Sequence, residues 1–114
     1  MRSKITEGEI YNKSNPFYYY KPMSNPAIVY KNWLKYKGSD DAEIYLSERK
    51  DKKFCVTTPD GKTVHFGQKG YDDYTSHQNE ARRDNYLKRA SNIRGNWRRN
   101  KWSANNLAIN LLWQ

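Results

Sequence analysis

A chain of 114 residues with 36% hydrophobic content has room for one small domain and a modest core, so a second folded domain is not expected. The net charge is +9, yet 15% aromatic content, with ten tyrosines and four tryptophans, excludes a simple disordered polycation and calls for surfaces on which the rings can bury. Cys55 is the only cysteine, which excludes an internal disulfide and the CxxC or C2H2 zinc staples. No apolar leader core opens the chain and no run approaches the roughly 18 apolar residues of a membrane span. The expectation is a soluble protein of the cytosol or nucleus, or of an assembly made there.

Residues 1–30 interleave Pro16, Pro22 and Pro26 with "NPFYYYKP". Proline disfavours helix at its own position and the one before it, so this segment reads as an extended arm. Phe17, Tyr18, Tyr19 and Tyr20 make it too apolar for a linker and mark it as a docking arm for a partner. Residues 31–114 then form a single small α+β domain. A short helix is expected before Gly38 and a strand near Ile44–Leu46.

A β-hairpin is expected over about 53–66. Its β-prone runs, Phe54–Thr58 and Thr63–Phe66, flank "PDGK", in which Pro59 presets φ and Gly61 supplies a positive φ. Alternation puts Phe54, Val56 and Thr58 on one face and Cys55 and Thr57 on the other, so one face is expected to pack and the other to stay wet. After a loop, "NEARRDNYLKRASNI" reads as a helix capped by Asn79 and ended by Gly95, with Asp84 and Lys88 spaced for an ion pair. Tyr86, Ala90 and Ile93 share its narrow apolar face, with Leu87 beside them. A last helix is expected after Ser103, with an apolar stripe of Leu107, Ala108, Leu111 and Leu112 and Trp113 closing it. Two or three short helices thus follow the hairpin.

His65, His77, Asp72 and Asp73 lie close enough in sequence to suggest a metal site or an acid–base pair, but their spacing matches neither HExxH nor an EF-hand loop. His65 is therefore read as a half-buried strand residue and His77 as a seat for the following helix. Cys55 inside "FCVTT" is read as a small apolar residue rather than a nucleophile, and "GQKG" lacks the phosphate-loop pattern. No enzyme, cofactor or metal is expected.

Charge is more informative. Residues 82–101 hold eight cations, Arg82, Arg83, Lys88, Arg89, Arg94, Arg98, Arg99 and Lys101, against Asp84 alone, a net +7. Arginines interleaved with Trp97 and Trp102 suit phosphate contacts and base stacking, and equally suit carboxylates on an acidic protein surface.

The order of motifs carries a resemblance. Thr58, Pro59, Gly61 and Lys62 are followed by His65, Phe66 and Gly67, then by Gly70, Tyr71, Asp73 and Tyr74. His77 precedes Arg82, Arg83, Tyr86 and Arg89, and Trp97 and a terminal Leu111, Leu112 and Trp113 complete the series. Over roughly residues 52–113 the chain resembles a family of small basic proteins encoded by large nucleocytoplasmic DNA viruses of algae and amoebae, a family with no established catalytic activity. It departs at Asn79, where that family often has aspartate, although asparagine caps a helix equally well. The resemblance implies a structural role in the virion; with an aromatic arm too apolar for so small a core to cover, the first expectation is a minor capsid or cement component, made in the host cytoplasm and placed on the inner side of the shell with capsid proteins as partners. The alternative is a nucleic-acid-binding protein with viral DNA as partner.

Overall fold

The computed structural model describes residues 24–114, so Phe17, Tyr18, Tyr19 and Tyr20 of the expected arm lie outside the described residues. Helix α1 spans Pro26–Lys37. The Asn25 side chain caps it, accepting from the amides of Ala27 and Ile28 at 3.1 and 3.4 Å. Residues 26–30 thus belong to the domain and not to an extended arm. The expectation failed there because proline breaks a helix interior but suits its first position, where the missing N–H would be unpaired anyway. Gly38, at φ 57°, donates its amide to Leu34 O and ends the helix.

Three strands follow, β1 (Glu43–Leu46), β2 (Lys52–Thr57) and β3 (Thr63–Gln68), forming an antiparallel sheet in the order β1-β2-β3. The expected β1 and hairpin are present, with β2 starting at Lys52 and β3 reaching Gln68. Between them Thr58 N donates to Lys62 O at 2.8 Å and Gly61 N to Thr58 O at 2.9 Å, with Gly61 at φ 84°. The register sets Ile44 opposite Val56 and Phe54 opposite Phe66.

One hairpin expectation is corrected. Both faces of β2 are buried: Lys53, Phe54, Cys55 and Val56 in succession. β2 is the central strand, and the small Cys55 lies between its longer cross-strand neighbours Tyr45 and His65, with its thiol directed at Leu46 O at 3.9 Å.

The rest of the chain covers the Phe54 face. Helix α2 is a single turn, Tyr74–His77, and α3 spans Glu80–Ser91 with Asn79 accepting from the Arg82 amide at 3.1 Å. α3 stops before Gly95, so Ile93 leaves the expected apolar face and is half exposed, while Ala90 stays buried. Asp84 and Lys88 make no ion pair with each other. A 3-10 turn at Trp97–Arg99 leads to α4, Ala104–Leu112, which Ser103 caps as expected.

α4 packs against α1 and β3. Val29 and Trp33 of α1 and Leu107, Leu111 and Leu112 of α4 close over Ile44, Phe54, Val56 and Phe66, with the two phenylalanine rings 5.7 Å apart. Each such side chain contributes about 1.5–3 kcal/mol by leaving water.

Gly67 has a specific reason to be glycine. It lies in β3 at φ 79°, and a Cβ there would meet Leu112 Cδ1 at 3.1 Å and Lys53 Cβ at 3.2 Å. Gly67→Ala is expected to lower unfolding free energy by about 1–3 kcal/mol, from the left-handed backbone together with crowding. Urea denaturation checks it, and an unchanged midpoint would mean that both neighbours yield freely.

Candidate functional site

The basic segment divides into cations that brace the fold and cations that do not. Arg82 grips Asp72 with two hydrogen bonds, Nη1 to Oδ2 at 3.1 Å and Nη2 to Oδ1 at 2.5 Å. Arg83 donates from Nε to Trp113 O at 2.9 Å and lies over the Tyr74 ring at 5.4 Å. Arg98 covers the Trp97 ring at 4.3 Å and donates to Ser91 O. Lys101 pairs with Asp40 at 2.6 Å and lies 5.0 Å from the Trp102 ring. By contrast Lys88, Arg89, Arg94 and Arg99 are exposed and have no ion-pair partner among the described residues.

The loop carrying Arg94, Arg98 and Arg99 is pinned from α4. Asn106 Nδ2 donates to Trp97 O and Asn100 O, both at 2.9 Å, and Asn105 Nδ2 donates to Ala90 O at 3.1 Å. Trp97 Nε1 donates to Ile93 O at 2.7 Å. These bonds add to the backbone and Ser103 donors that Trp97 O, Asn100 O and Ala90 O already have, and tie the end of α3 and the loop to α4, so the charges project from a held backbone. Sequence reasoning missed them. Their signal was two adjacent asparagines in the first turn of a helix already capped by Ser103.

The Arg82 hydrogen bonds hold the Asp72 carboxyl below the usual carboxylate range. A carboxyl with a depressed folded value stabilises the fold above its unfolded value of about 3.9 and loses that contribution as pH falls through the folded value. Asp72→Asn should therefore remove a small stabilisation at pH 7 and flatten the acid limb of the stability curve. Urea unfolding at about pH 7 and pH 3 checks the sign; an equally steep acid limb in the variant would assign that limb to other carboxylates.

The histidines and aspartates are not gathered into one site. His65 Nδ1 is 2.7 Å from Ser47 Oγ on the sheet, whereas His77 Nδ1 accepts from the Asn79 amide at 2.9 Å, seating the start of α3. The His77 ring lies 5.3 Å from that of Trp113, and its Nε2 is buried without a hydrogen-bond partner among the described residues. Among the described residues no three His, Cys, Asp or Glu side chains come together at metal-ligand spacing.

Asp73 instead belongs to a buried cluster that sequence reasoning did not foresee. Its carboxylate accepts from Ser24 Oγ at 2.6 Å, Lys53 Nζ at 3.0 Å, the Thr75 amide at 3.0 Å and Thr75 Oγ1. Asn25 N donates to Thr75 Oγ1 at 2.9 Å. Both charged side chains are 2% exposed. Burial pushes the Lys53 ammonium below its ordinary value, and Asp73 opposes that shift. With four donors on its carboxylate, and with the Ser24 hydroxyl committed to it, the cluster has neither a free base nor a free nucleophile. It clamps the start of α1, the start of β2 and the start of α2 together.

Next to this clamp, α3, β2, β3 and the end of α4 enclose a half-open cleft of about 560 Å³. Arg82, Asn85, Tyr86 and Arg89, at helical spacing on one face of α3, form one wall. Tyr86 and Trp113 stack at 4.1 Å with 6° between their planes. Of the residues expected to be structural, Gly67, Tyr71, Tyr86 and Trp113 meet here, while Pro59 lies at the distant hairpin turn and Trp97 under the basic loop.

Residues 42–90 match the model of a family of unknown function, DUF5754. That span holds the sheet, the Lys53–Asp73 clamp and the cleft wall of α3, and leaves out α1, the Trp97–Arg99 turn and α4. No curated protein and no solved structure matches the chain. No helix among the described residues is long and apolar enough to cross a membrane.

Proposed function

We propose that the protein is a non-catalytic binding component of a virus particle, a minor capsid or cement protein that holds an acidic face of a capsid protein. One observation carries this reading: among the described residues Lys88, Arg94 and Arg99 stay exposed and unpaired on the flank formed by the end of α3 and the pinned loop, while neighbouring cations are consumed in bracing. With the loop backbone already held from α4, the ordering cost of meeting carboxylates is confined to the side chains themselves. The virus particle as the assembly rests on the resemblance to small basic proteins of large DNA viruses, and the inner side of the shell is part of the same proposal.

A second reading, grip on viral DNA, is favoured by the Arg98–Trp97 plate that borders the same cations. The triple variant Lys88→Gln/Arg94→Gln/Arg99→Gln separates the two. It should keep its melting temperature, since exposed charges contribute about 0–1 kcal/mol each, yet lose co-sedimentation with capsid shells. Loss of duplex DNA binding alone, with the log–log salt slope flattened by about 0.9 per lost contact, would select the DNA reading. Unchanged association with both would overturn both.

A further inference from the structure

The cleft beside the buried clamp has the composition of a ligand site, distinct from the flank that Lys88, Arg94 and Arg99 occupy. Its four cationic liners, Lys52, Lys53, Arg82 and Arg89, face two anions, Asp72 and Asp73. Both anions are spoken for: Asp72 by Arg82 at 2.5 Å and Asp73 by Lys53 at 3.0 Å. Lys52 and Arg89 therefore remain as positive charge without a partner among the described residues. The geometry points to an anion in this cleft.

Three further features narrow the class. Tyr71 is 68% exposed on the loop that borders the cleft, so its ring face is available to a ligand. Leu112 and the stacked Tyr86 and Trp113 supply an apolar lining, and Gly67 lets Leu112 and Lys53 pack closely at its base. A volume of about 560 Å³ lies within the range of small-molecule sites, which are mostly apolar with a few placed polar groups. From these features we infer that the cleft binds a small ligand joining a planar aromatic ring to a phosphate, of the nucleoside monophosphate class. The ring lies against Tyr71, and the phosphate is held by the Arg89 guanidinium and the Lys52 ammonium. This site does not depend on the proposed role of the basic flank, because that flank contributes none of the groups invoked.

Calorimetric titration of the full chain with AMP at about 0.1 M salt, where diffuse attraction beyond about 10 Å is screened, tests it. Saturable one-to-one binding is expected, at least tenfold tighter than adenosine or inorganic phosphate alone. Arg89→Gln and Tyr71→Ala should each weaken it at least tenfold, with melting temperatures retained because both side chains are exposed. Arg99→Gln, outside the cleft, should leave it unchanged. The assignment is overturned by an absence of saturation, by inorganic phosphate binding as tightly as AMP, or by Arg99→Gln weakening binding as much as Arg89→Gln does. Loss of capsid or DNA association in the flank variant with AMP binding intact would leave the two sites separate.

Discussion

Lys53→Met is expected to lower unfolding free energy by about 3–5 kcal/mol, a large share of the roughly 5–15 kcal/mol that holds a small domain folded. Methionine replaces the aliphatic stem at similar volume, so lost packing accounts for little. The cost comes from Asp73, left as a buried anion whose remaining donors are Ser24 and Thr75. Asp73→Asn in the same background should restore part of the loss, because the amide removes the uncompensated charge while its oxygen still accepts from Thr75 N. A double-mutant cycle in urea measures this coupling. The pH dependence has a definite sign. Lys53 has a folded value below its unfolded value of about 10.4, so between the two the unfolded chain binds more protons and stability rises with pH. Tyr36, Tyr74 and Tyr86 are raised from theirs and give the opposite slope above about pH 10, so the comparison is the wild type minus Lys53→Met below that point. A cost under about 1 kcal/mol would mean that the hydroxyl and amide donors satisfy Asp73 without the ammonium.

What could be read from the sequence follows from the range of the interactions involved. The Asn79 and Ser103 caps and the "PDGK" turn were legible because each is completed by backbone within three or four residues. Pro26 was misread because the same residue stops a helix in one position and starts it in another, and the deciding contact is the Asn25 cap. The buried clamp was illegible for a different reason. Lys53 and Asp73 are 20 residues apart and Ser24 is 49 from Asp73, and nothing in the period of β2 distinguishes a buried lysine from a solvated one. The net +7 of residues 82–101 was correct as a count, but a count cannot tell bracing cations from available ones. That division depends on where Asp72, Asp40 and the Trp113 carbonyl come to lie after folding.

The second large effect is expected at the next-to-last residue. Chain ends commonly fray, and by that rule Trp113→Ala would change little. The local contacts oppose it. Trp113 is 9% exposed, stacks on Tyr86 at 4.1 Å, lies 5.3 Å from His77, and its carbonyl accepts from Arg83 Nε at 2.9 Å. It therefore fastens α3 and α2 to the end of α4, and without it the Tyr86 ring loses its stacking partner and the half-buried His77 imidazole its cover. Truncating a buried tryptophan costs about 3–5 kcal/mol, and the aromatic pairing adds about 0.5–1.5 kcal/mol beyond area alone. Fraying would have to offset several kcal/mol to win. Trp113→Ala should thus lower unfolding free energy by at least 3 kcal/mol, whereas Trp113→Phe, which keeps a ring over Tyr86, should cost about 1–2 kcal/mol. The readout is urea unfolding followed by far-ultraviolet circular dichroism, which does not depend on the removed indole. Equal small losses in both variants would show a frayed terminus and remove Trp113 from the cleft wall. A large loss in Trp113→Ala that Trp113→Phe largely recovers would establish the terminal ring as the lock on α3.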